Sequence, residues 1–152
     1  MKKLKMLILA VLFITMTMQE VSYGNAFPER VVTVTINGEV IGFDEPARLI
    51  NERTMVPMRK IYESLGATVQ WVDEAQLIIA TFKTSIIAME IGKKSFDITE
   101  LLTGETKIVE LDVPPQVVGV GTTLVPVRAI SEALGKKVDW DDKTSTVIII
   151  DN

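Results

Sequence analysis

The chain contains no cysteine and no histidine. The absence of cysteine excludes disulfides, thiolate nucleophiles and thiolate-bound metals, although an exported protein can form disulfides. The absence of histidine excludes an ordinary Ser-His-Asp triad, an imidazole general base and histidine-bound zinc, copper or iron. Most hydrolase and oxidase mechanisms are thereby removed. Carboxylate pairs, Ser-Lys arrangements and oxygen-bound calcium remain as possible chemistry.

Positive charge is also scarce. The 16 basic residues face 20 acidic ones, and a predicted N-terminal leader takes three lysines and one glutamate with it, leaving a net charge of −6. Phosphate backbones and anionic lipids repel such a surface, and no cluster of lysine and arginine interrupts it. Nucleic acid is therefore not an expected partner.

The leader covers residues 1–26 and has the composition of a secretory signal peptide. Its first five residues include three lysines, and the apolar run that follows is shorter than the roughly 20 residues that span a bilayer. Small residues favour cleavage after Ala26, with Gly24 as the second choice, and an uncleaved membrane anchor is the alternative. We therefore expect residues 27–152 to be secreted or held in the cell envelope, without a stable membrane span.

The mature chain contains an internal repeat. Residues 54–79 return without a gap, 69 positions later, as residues 123–148. Self-similarity of this kind predicts a duplicated supersecondary unit. We predict one stalk-type domain made of two repeats, at about residues 31–90 and 91–152. The pairs that are identical are Thr54/Thr123, Val56/Val125, Pro57/Pro126, Arg59/Arg128, Ile61/Ile130, Glu63/Glu132, Leu65/Leu134, Gly66/Gly135, Val69/Val138, Trp71/Trp140, Asp73/Asp142 and Ile79/Ile148.

Local patterns predict the elements of each repeat. Alternating residues around Asn37-Gly38 predict a β-hairpin. The VPMR and VPVR segments predict a helix with proline in its first position, apolar residues at i, i+3, i+4 and i+7, and an end after about nine residues at Gly66 or Gly135. Alternation after each glycine predicts a further hairpin. The predicted fold is α+β, with two tandem repeats, each a twisted antiparallel β-sheet packed around one short α-helix.

The repeated signature provides the candidate site residues, for which we predict a structural role. Arg59 and Arg128 are expected to reach a backbone carbonyl or the following aspartate turn, and a carboxylate-binding or catalytic arginine is the alternative. The two tryptophans are expected in the core, and an exposed indole that stacks on sugar rings is the alternative. The signature residues are Pro57, Arg59, Glu63, Gly66, Trp71, Asp73, Pro126, Arg128, Glu132, Gly135, Trp140 and Asp142.

Two acidic sets have a chemical alternative. The turn carboxylates lack the regular spacing of a calcium loop, so turn formation and N–H capping are favoured over calcium binding. Glu63 and Glu132 resemble a glycosidase pair only if the fold brings them together across a cleft, and a role as fold determinants is favoured. The turn carboxylates are Asp73, Glu74, Asp141 and Asp142.

One segment breaks the repeat. INGEVI at 36–41 is similar to IGKKSF at 91–96 with an offset of 55, so the second repeat carries about 14 extra residues at 97–110. Insertions in repeats usually lie in surface loops. We therefore expect residues 97–110 to be a loop and the first candidate for contact with a partner.

Two long segments carry a family resemblance. NGEVIGFDEPARLINERTMVPMRKIYESLGATVQWV and VELDVPPQVVGVGTTLVPVRAISEALGKKVDWDDKTSTVIII resemble the copper amine oxidase N-terminal-like domain, or stalk domain, of exported Gram-positive proteins. The resemblance covers about residues 31–150 and implies a twisted antiparallel sheet around a helix. Amine oxidases hold copper with histidines of a separate catalytic domain, so the resemblance carries over neither copper nor a quinone cofactor.

These observations predict a non-enzymatic, exported structural or interaction module at the cell envelope or outside the cell. We expect no catalytic residue, no cofactor and no metal, and a protein or cell-wall partner whose identity the sequence does not give. The alternative is a carbohydrate- or cell-wall-binding module that uses Trp71 or Trp140.

Overall fold

The computed structural model describes residues 31–151, and the predicted signal peptide at 1–26 lies outside them. The strands of this region are β1 (Thr33–Ile36), β2 (Glu39–Val40), β3 (Arg48–Ile50), β4 (Arg53–Pro57), β5 (Thr68–Val72), β6 (Leu77–Phe82), β7 (Ser85–Glu90), β8 (Ser95–Glu100), β9 (Thr106–Glu110), β10 (Gln116–Val118), β11 (Thr122–Pro126), β12 (Lys137–Asp141) and β13 (Thr146–Ile150). The helices are α1 (Met58–Ser64) and α2 (Val127–Ala133).

The strands of the described region form three sheets, in the orders β12-β13-β1-β2, β10-β11-β4-β3 and β5-β6-β7-β8-β9. Helix α1 contacts β5 and β11, and helix α2 contacts β12 and β4. The predicted α+β class is confirmed. Neither helix is long and apolar enough to cross a membrane, and residues 31–151 contain no other helix that is.

The two halves of the chain share their sheets. Strand β1 lies parallel to β13, with Val34 beside Val147. Strand β4 lies antiparallel to β11, with Val56 directly opposite Val125. Because these two valines are 69 positions apart, the offset of the sequence repeat, β4 and β11 meet about a local two-fold axis. Each half therefore completes sheet edges of the other, and one of the pairings is parallel.

The element bounds follow the same offset. Strand β4, helix α1, strand β5 and the start of β6 return as β11, α2, β12 and β13, each shifted by 69 positions. The strand next to β6 and the strand next to β13 differ in direction. Strand β7 follows β6 through a tight turn and pairs with it antiparallel, whereas β1 is parallel to β13. The repeat boundaries at 31–90 and 91–152 stay a prediction.

The first hairpin lies where the sequence predicts it. Strands β1 and β2 pair antiparallel, and the turn residues Asn37 and Gly38 have φ of 51° and 86°. Two successive residues with positive φ are typical of a type I′ turn, whose twist matches that of the flanking strands. The Asn-Gly dipeptide supplies this conformation at low cost.

The helices begin one residue later than predicted. Pro57 has φ −55° and ψ 119°, and Pro126 has φ −70° and ψ 112°. The extended ψ places each proline at the N-cap, as the last residue of its strand, and the helix starts at Met58 or Val127. The helices are seven residues long instead of about nine. The fixed φ of proline suits both conformations, so sequence alone does not separate the two positions.

The helix ends match the prediction in detail. Gly66 and Gly135 have φ of 85° and 74°. In the first half, the N–H of Gly66 donates to the carbonyl of Glu63 at 3.0 Å, and the N–H of Ala67 donates to the carbonyl of Tyr62 at 2.9 Å. The second half repeats both bonds. This pair of bonds is the Schellman motif, which requires a left-handed residue that glycine adopts without strain.

A single main core lies between the helices and the sheets, and both halves contribute to it. Ile61 and Ile130 are both fully buried in this core. The helical stripe predicted from the sequence is buried at every position, namely Met58, Ile61, Tyr62, Leu65, Val127, Ile130, Ser131 and Leu134.

Two buried hydroxyls occupy equivalent positions of the helices. Tyr62 and Ser131 are both fully buried. Within residues 31–151, neither the Tyr62 hydroxyl nor the Ser131 hydroxyl has a hydrogen-bond partner. Burial raises the pKa of Tyr62 well above its usual value, because the phenolate would be desolvated. A buried polar group without a partner reduces stability by about 1–3 kcal/mol.

Removing the phenol hydroxyl is therefore expected to stabilise the protein. We expect Tyr62→Phe to raise the free energy of unfolding by about 1 kcal/mol at neutral pH, measured by urea unfolding. The variant also changes how the free energy of unfolding depends on pH above about 10. Burial raises the pKa of Tyr62 in the folded state, so the stability that comes from keeping the phenol neutral is complete below the unfolded pKa near 10. Above that pH it is lost, at up to about 1.4 kcal/mol per pH unit.

Ser131→Ala is the matched control for this prediction. It removes the equivalent buried hydroxyl, which does not titrate in this pH range, so it should stabilise the protein without altering the alkaline slope. A Tyr62→Phe variant that loses stability at neutral pH would show that the hydroxyl has a partner in the folded protein. A variant that keeps the wild-type slope above pH 10 would show that burial does not raise the pKa of Tyr62.

The prediction of a loop at residues 97–110 is wrong. This segment forms most of β8 and all of β9, which are antiparallel and extend the five-stranded sheet. Ile98 and Val109 pack against the main core, because alternate side chains of a strand point to the same face. The exposed apolar residues lie at the hairpin tip and on β9, namely Leu101, Leu102 and Ile108.

Candidate ligand grooves at the two tryptophans

Two open grooves contain the proline, arginine, tryptophan and aspartate of the repeated signature. The Trp71 groove is lined by Pro57, Met58, Arg59, Trp71, Asp73, Gln76, Val117, Gly121, Thr122 and Thr123. The Trp140 groove is lined by Leu49, Glu52, Arg53, Thr54, Asp112, Pro126, Val127, Arg128, Val138, Asp139, Trp140, Asp142 and Val147. Each groove takes its proline, arginine, tryptophan and aspartate from one half of the chain, and its opposite wall includes strand residues of the other half.

Both tryptophans are partly buried against the main core and are not fully enclosed by it. Trp71 and Trp140 pack against the main core, and each also lines its groove. The reason is topological, because β5 and β12 are both edge strands of their sheets and no further strand covers the outer side of the ring. The indole N–H of Trp71 donates to Asp73 Oδ1 at 3.2 Å.

The signature arginines reach the backbone carbonyls that the sequence analysis expects. Arg59 Nη1 donates to the carbonyl of Val69 at 3.5 Å, and Arg128 Nη1 donates to the carbonyl of Val138 at 3.3 Å. Both acceptors lie on edge strands, so the guanidinium covers an edge that would otherwise be open to another chain. The bonds are long, and each uses one of five N–H donors. The arginine side chains are 58% and 54% exposed.

The turn carboxylates make local hydrogen bonds. Asp141 accepts from the N–H of Lys143 and from the hydroxyl of Thr144, both at 2.9 Å. These hydrogen bonds lower the pKa of Asp141 below its usual value. The Thr144 hydroxyl has the larger effect, and the Lys143 N–H adds to it. In the first half, Asp73 accepts from the Trp71 indole N–H. These contacts are those of a closed hairpin turn.

The two signature glutamates have matching surroundings. Glu63 lies 3.9 Å from Arg59, and Glu132 lies 3.7 Å from Arg128. Both side chains are 53% exposed. Glu132 lines a third groove beside α2. Glu63 lines neither this groove nor the two tryptophan grooves. The glycosidase-like pairing would need the two carboxylates in one cleft, and these grooves do not bring them together.

A third groove, the helix trough, runs between α2 and β9. Its lining includes the apolar residues Ile98, Val109 and Ala133. Its lining shares Arg53, Asp112, Pro126 and Arg128 with the Trp140 groove. The sequence does not predict this groove, because β9 forms one of its walls and residues 97–110 are predicted as a loop.

The chain matches a known protein family. A family model described as the copper amine oxidase N-terminal domain matches residues 35–149. The chain belongs to this family. The copper amine oxidase N-terminal domain is a non-catalytic stalk domain. No curated protein matches the chain.

Despite its name, this copper amine oxidase N-terminal domain does not fit a copper ion. The sequence has neither histidine nor cysteine, the nitrogen and sulfur donors that copper prefers. Between residues 31 and 151, no group of three or more acidic side chains is placed to hold a metal ion. The Asp141 carboxylate already accepts hydrogen bonds from a backbone N–H and from a hydroxyl.

Proposed function

We propose that this chain is an exported, non-enzymatic module that makes contacts at the cell envelope or outside the cell. The observation that carries the proposal is the division of the repeated residues. Ile61, Leu65 and their equivalents are buried in the core, whereas the tryptophans, arginines and aspartates line two open grooves. The composition of residues 1–26 supports export. Membership of a non-catalytic family supports a non-enzymatic role.

The carboxylates of the signature also support a non-enzymatic role. An acid and a base with different duties need environments that separate their pKa values. Glu63 and Glu132 have the same exposure and the same arginine neighbour. Equivalent surroundings of this kind are typical of residues that have the same structural role in both repeats.

A second exposed surface supports contact with a protein partner. Leu101 is 55%, Leu102 is 82% and Ile108 is 63% exposed. These side chains lie at the tip of the β8–β9 hairpin and on β9, which is an edge strand. Exposed apolar side chains close together are typical of contact surfaces.

Co-sedimentation with isolated cell envelopes tests the proposal. We expect the protein to be exported, to bind the envelope fraction, and to turn over no peptide, ester or glycoside substrate. Deleting residues 97–110 would remove core residues, so the matched variant is Leu101→Ser with Leu102→Ser at the exposed tip. Retention in the cytoplasm, or a substrate turnover that is lost in Glu63→Gln or Glu132→Gln, would contradict the proposal.

Carbohydrate or cell-wall binding is the second candidate function. The observation that favours it is that both indoles, although partly buried, line open grooves. An indole face stacks on the apolar face of a sugar ring, while neighbouring polar side chains bond to the hydroxyls. Arg59, Asp73 and Gln76 provide such polar groups beside Trp71.

A further inference from the structure

The two tryptophan grooves are equivalent in origin but unequal in extent. The Trp71 groove has a volume of about 490 Å³. The Trp140 groove has a volume of about 670 Å³ and shares Arg53, Asp112, Pro126 and Arg128 with the helix trough, a neighbouring groove of about 490 Å³. Trp140 lines the first of these grooves, and the lining of the trough includes apolar residues.

The insert contributes to the helix trough and to neither tryptophan groove. Strand β9 supplies Lys107 and Val109 to the trough, opposite Ala129 and Ala133 of α2. The segment that breaks the sequence repeat therefore forms a wall of the groove that adjoins the Trp140 groove. Without β9, the trough would lose one of its walls.

The charges of the grooves disfavour an anionic ligand. The Trp71 groove has one arginine and one aspartate. The Trp140 groove has two arginines and four acidic residues, and the trough has three basic and three acidic residues. Arg53 is already paired with Asp112, with its Nε 2.7 Å from the carboxylate. An anionic polymer would meet no excess of positive charge on this surface.

A neutral oligosaccharide matches these features. The apolar faces of its rings pack against the indole and against the apolar residues of the trough. Its hydroxyls bond to paired arginine and carboxylate groups. We propose that the Trp140 groove and the helix trough form one extended site for a neutral oligosaccharide, and that the Trp71 groove is a separate, shorter site. This inference rests on the second candidate function and adds that one chain holds two unequal sites.

The two tryptophans make the sites separately observable. Residues 31–151 contain Trp71 and Trp140 as their only tryptophans, and the whole sequence has 2. Trp71→Phe leaves an indole in the extended site alone, and Trp140→Phe leaves one in the short site alone. Phenylalanine keeps an aromatic ring against the core, and circular dichroism checks that each variant is folded.

Titration with chito-oligosaccharides of two to six units, followed by tryptophan emission, tests the inference. Cello-oligosaccharides of the same lengths are the series without acetamido groups. In Trp71→Phe, we expect the affinity to rise by about ten-fold or more from dimer to hexamer, as added rings reach the trough. In Trp140→Phe, we expect the affinity to level off at short length.

Arg53→Ala adds a local probe of the extended site. It removes a residue shared by the Trp140 groove and the trough. In the Trp71→Phe background, it should lower the affinity for the hexamer by about ten-fold, and in the Trp140→Phe background it should have no effect. Lys60→Ala, at an exposed position of α1 outside these grooves, is the control.

The outcomes separate the two levels of the proposal. If neither series changes the emission of either variant, carbohydrate binding and the inference both fail, while envelope contact through a protein partner keeps its own test. If both indoles report binding with the same dependence on length, carbohydrate binding stands and the inference of unequal sites fails. If Arg53→Ala weakens binding equally at both indoles, the shared surface between groove and trough is not the site.

Discussion

Residues 31–90 produced alone are expected to remain unfolded, and residues 91–152 produced alone are expected to do the same. In the first fragment, β1 loses its partner β13 and β4 loses its partner β11. The main core also loses roughly half of its members, since both helices contribute to it. Each fragment is therefore too small to bury enough apolar surface. Circular dichroism and urea titration should show no cooperative transition in either fragment.

Mixing the two fragments is the internal control. The intermolecular contacts would be the same as in the intact chain, so an equimolar mixture should regain β-structure at high concentration. The Lys136 ammonium of the second half lies 5.1 Å from the centre of the Phe82 ring of the first half, which gives a local probe of reassembly. Cooperative unfolding of either fragment by itself would show that each repeat is an independent unit.

Truncating the central isoleucine of either helix is expected to destabilise the protein by about 2–5 kcal/mol. Ile61 and Ile130 are fully buried in the core that both halves share. The loss includes the transfer free energy of the removed methyl groups and the cost of the remaining cavity. Urea unfolding of Ile61→Ala and Ile130→Ala measures it. Because the two positions are equivalent, the two losses should be similar.

Lys60→Ala is the matched control for the isoleucine variants. Lys60 is exposed on α1, and the equivalent position of α2 already holds an alanine, Ala129. The change should therefore stay within about 0.5 kcal/mol of the wild type. A loss below about 1 kcal/mol for both isoleucine variants would contradict the shared core.

The sequence was sufficient where the structure depends on neighbouring residues. Asn37-Gly38 forms the predicted turn, because two residues with positive φ need this chemistry. Gly66 and Gly135 end the helices for the same kind of reason. The apolar period of each helix identified its buried face, since that face is set by the geometry of the helix alone.

The sequence was insufficient where distant segments meet. The sequence of β1 does not indicate that this strand pairs with β13, because a short alternating strand can pair with many others. The partial exposure of the tryptophans follows from that same level of structure. Their alternation with Val69 and Val138 gave the correct face of each strand, and the position of β5 and β12 at sheet edges leaves the indoles partly exposed. Residues 97–110 form strands although their centre is polar, because Ile98 and Val109 pack against the main core.

The identical residues of the two repeats therefore have two kinds of neighbours. Ile61, Leu65 and Gly66 contact the core or close a helix end. Arg59 and Trp71 contact the fold on one side and an open groove on the other. Sequence identity between the repeats does not separate these roles, whereas exposure does.

Indole N–H resonances give the most direct test that the grooves are the contact surfaces. A ¹⁵N-labelled sample has one such resonance for Trp71 and one for Trp140, which the two phenylalanine variants assign. On addition of soluble fragments released from the cell envelope, the account predicts that both indole signals shift, together with amide signals of residues lining the grooves. Shifts confined to Leu101, Leu102 and the rest of the hairpin tip, with both indole signals unmoved, would contradict it.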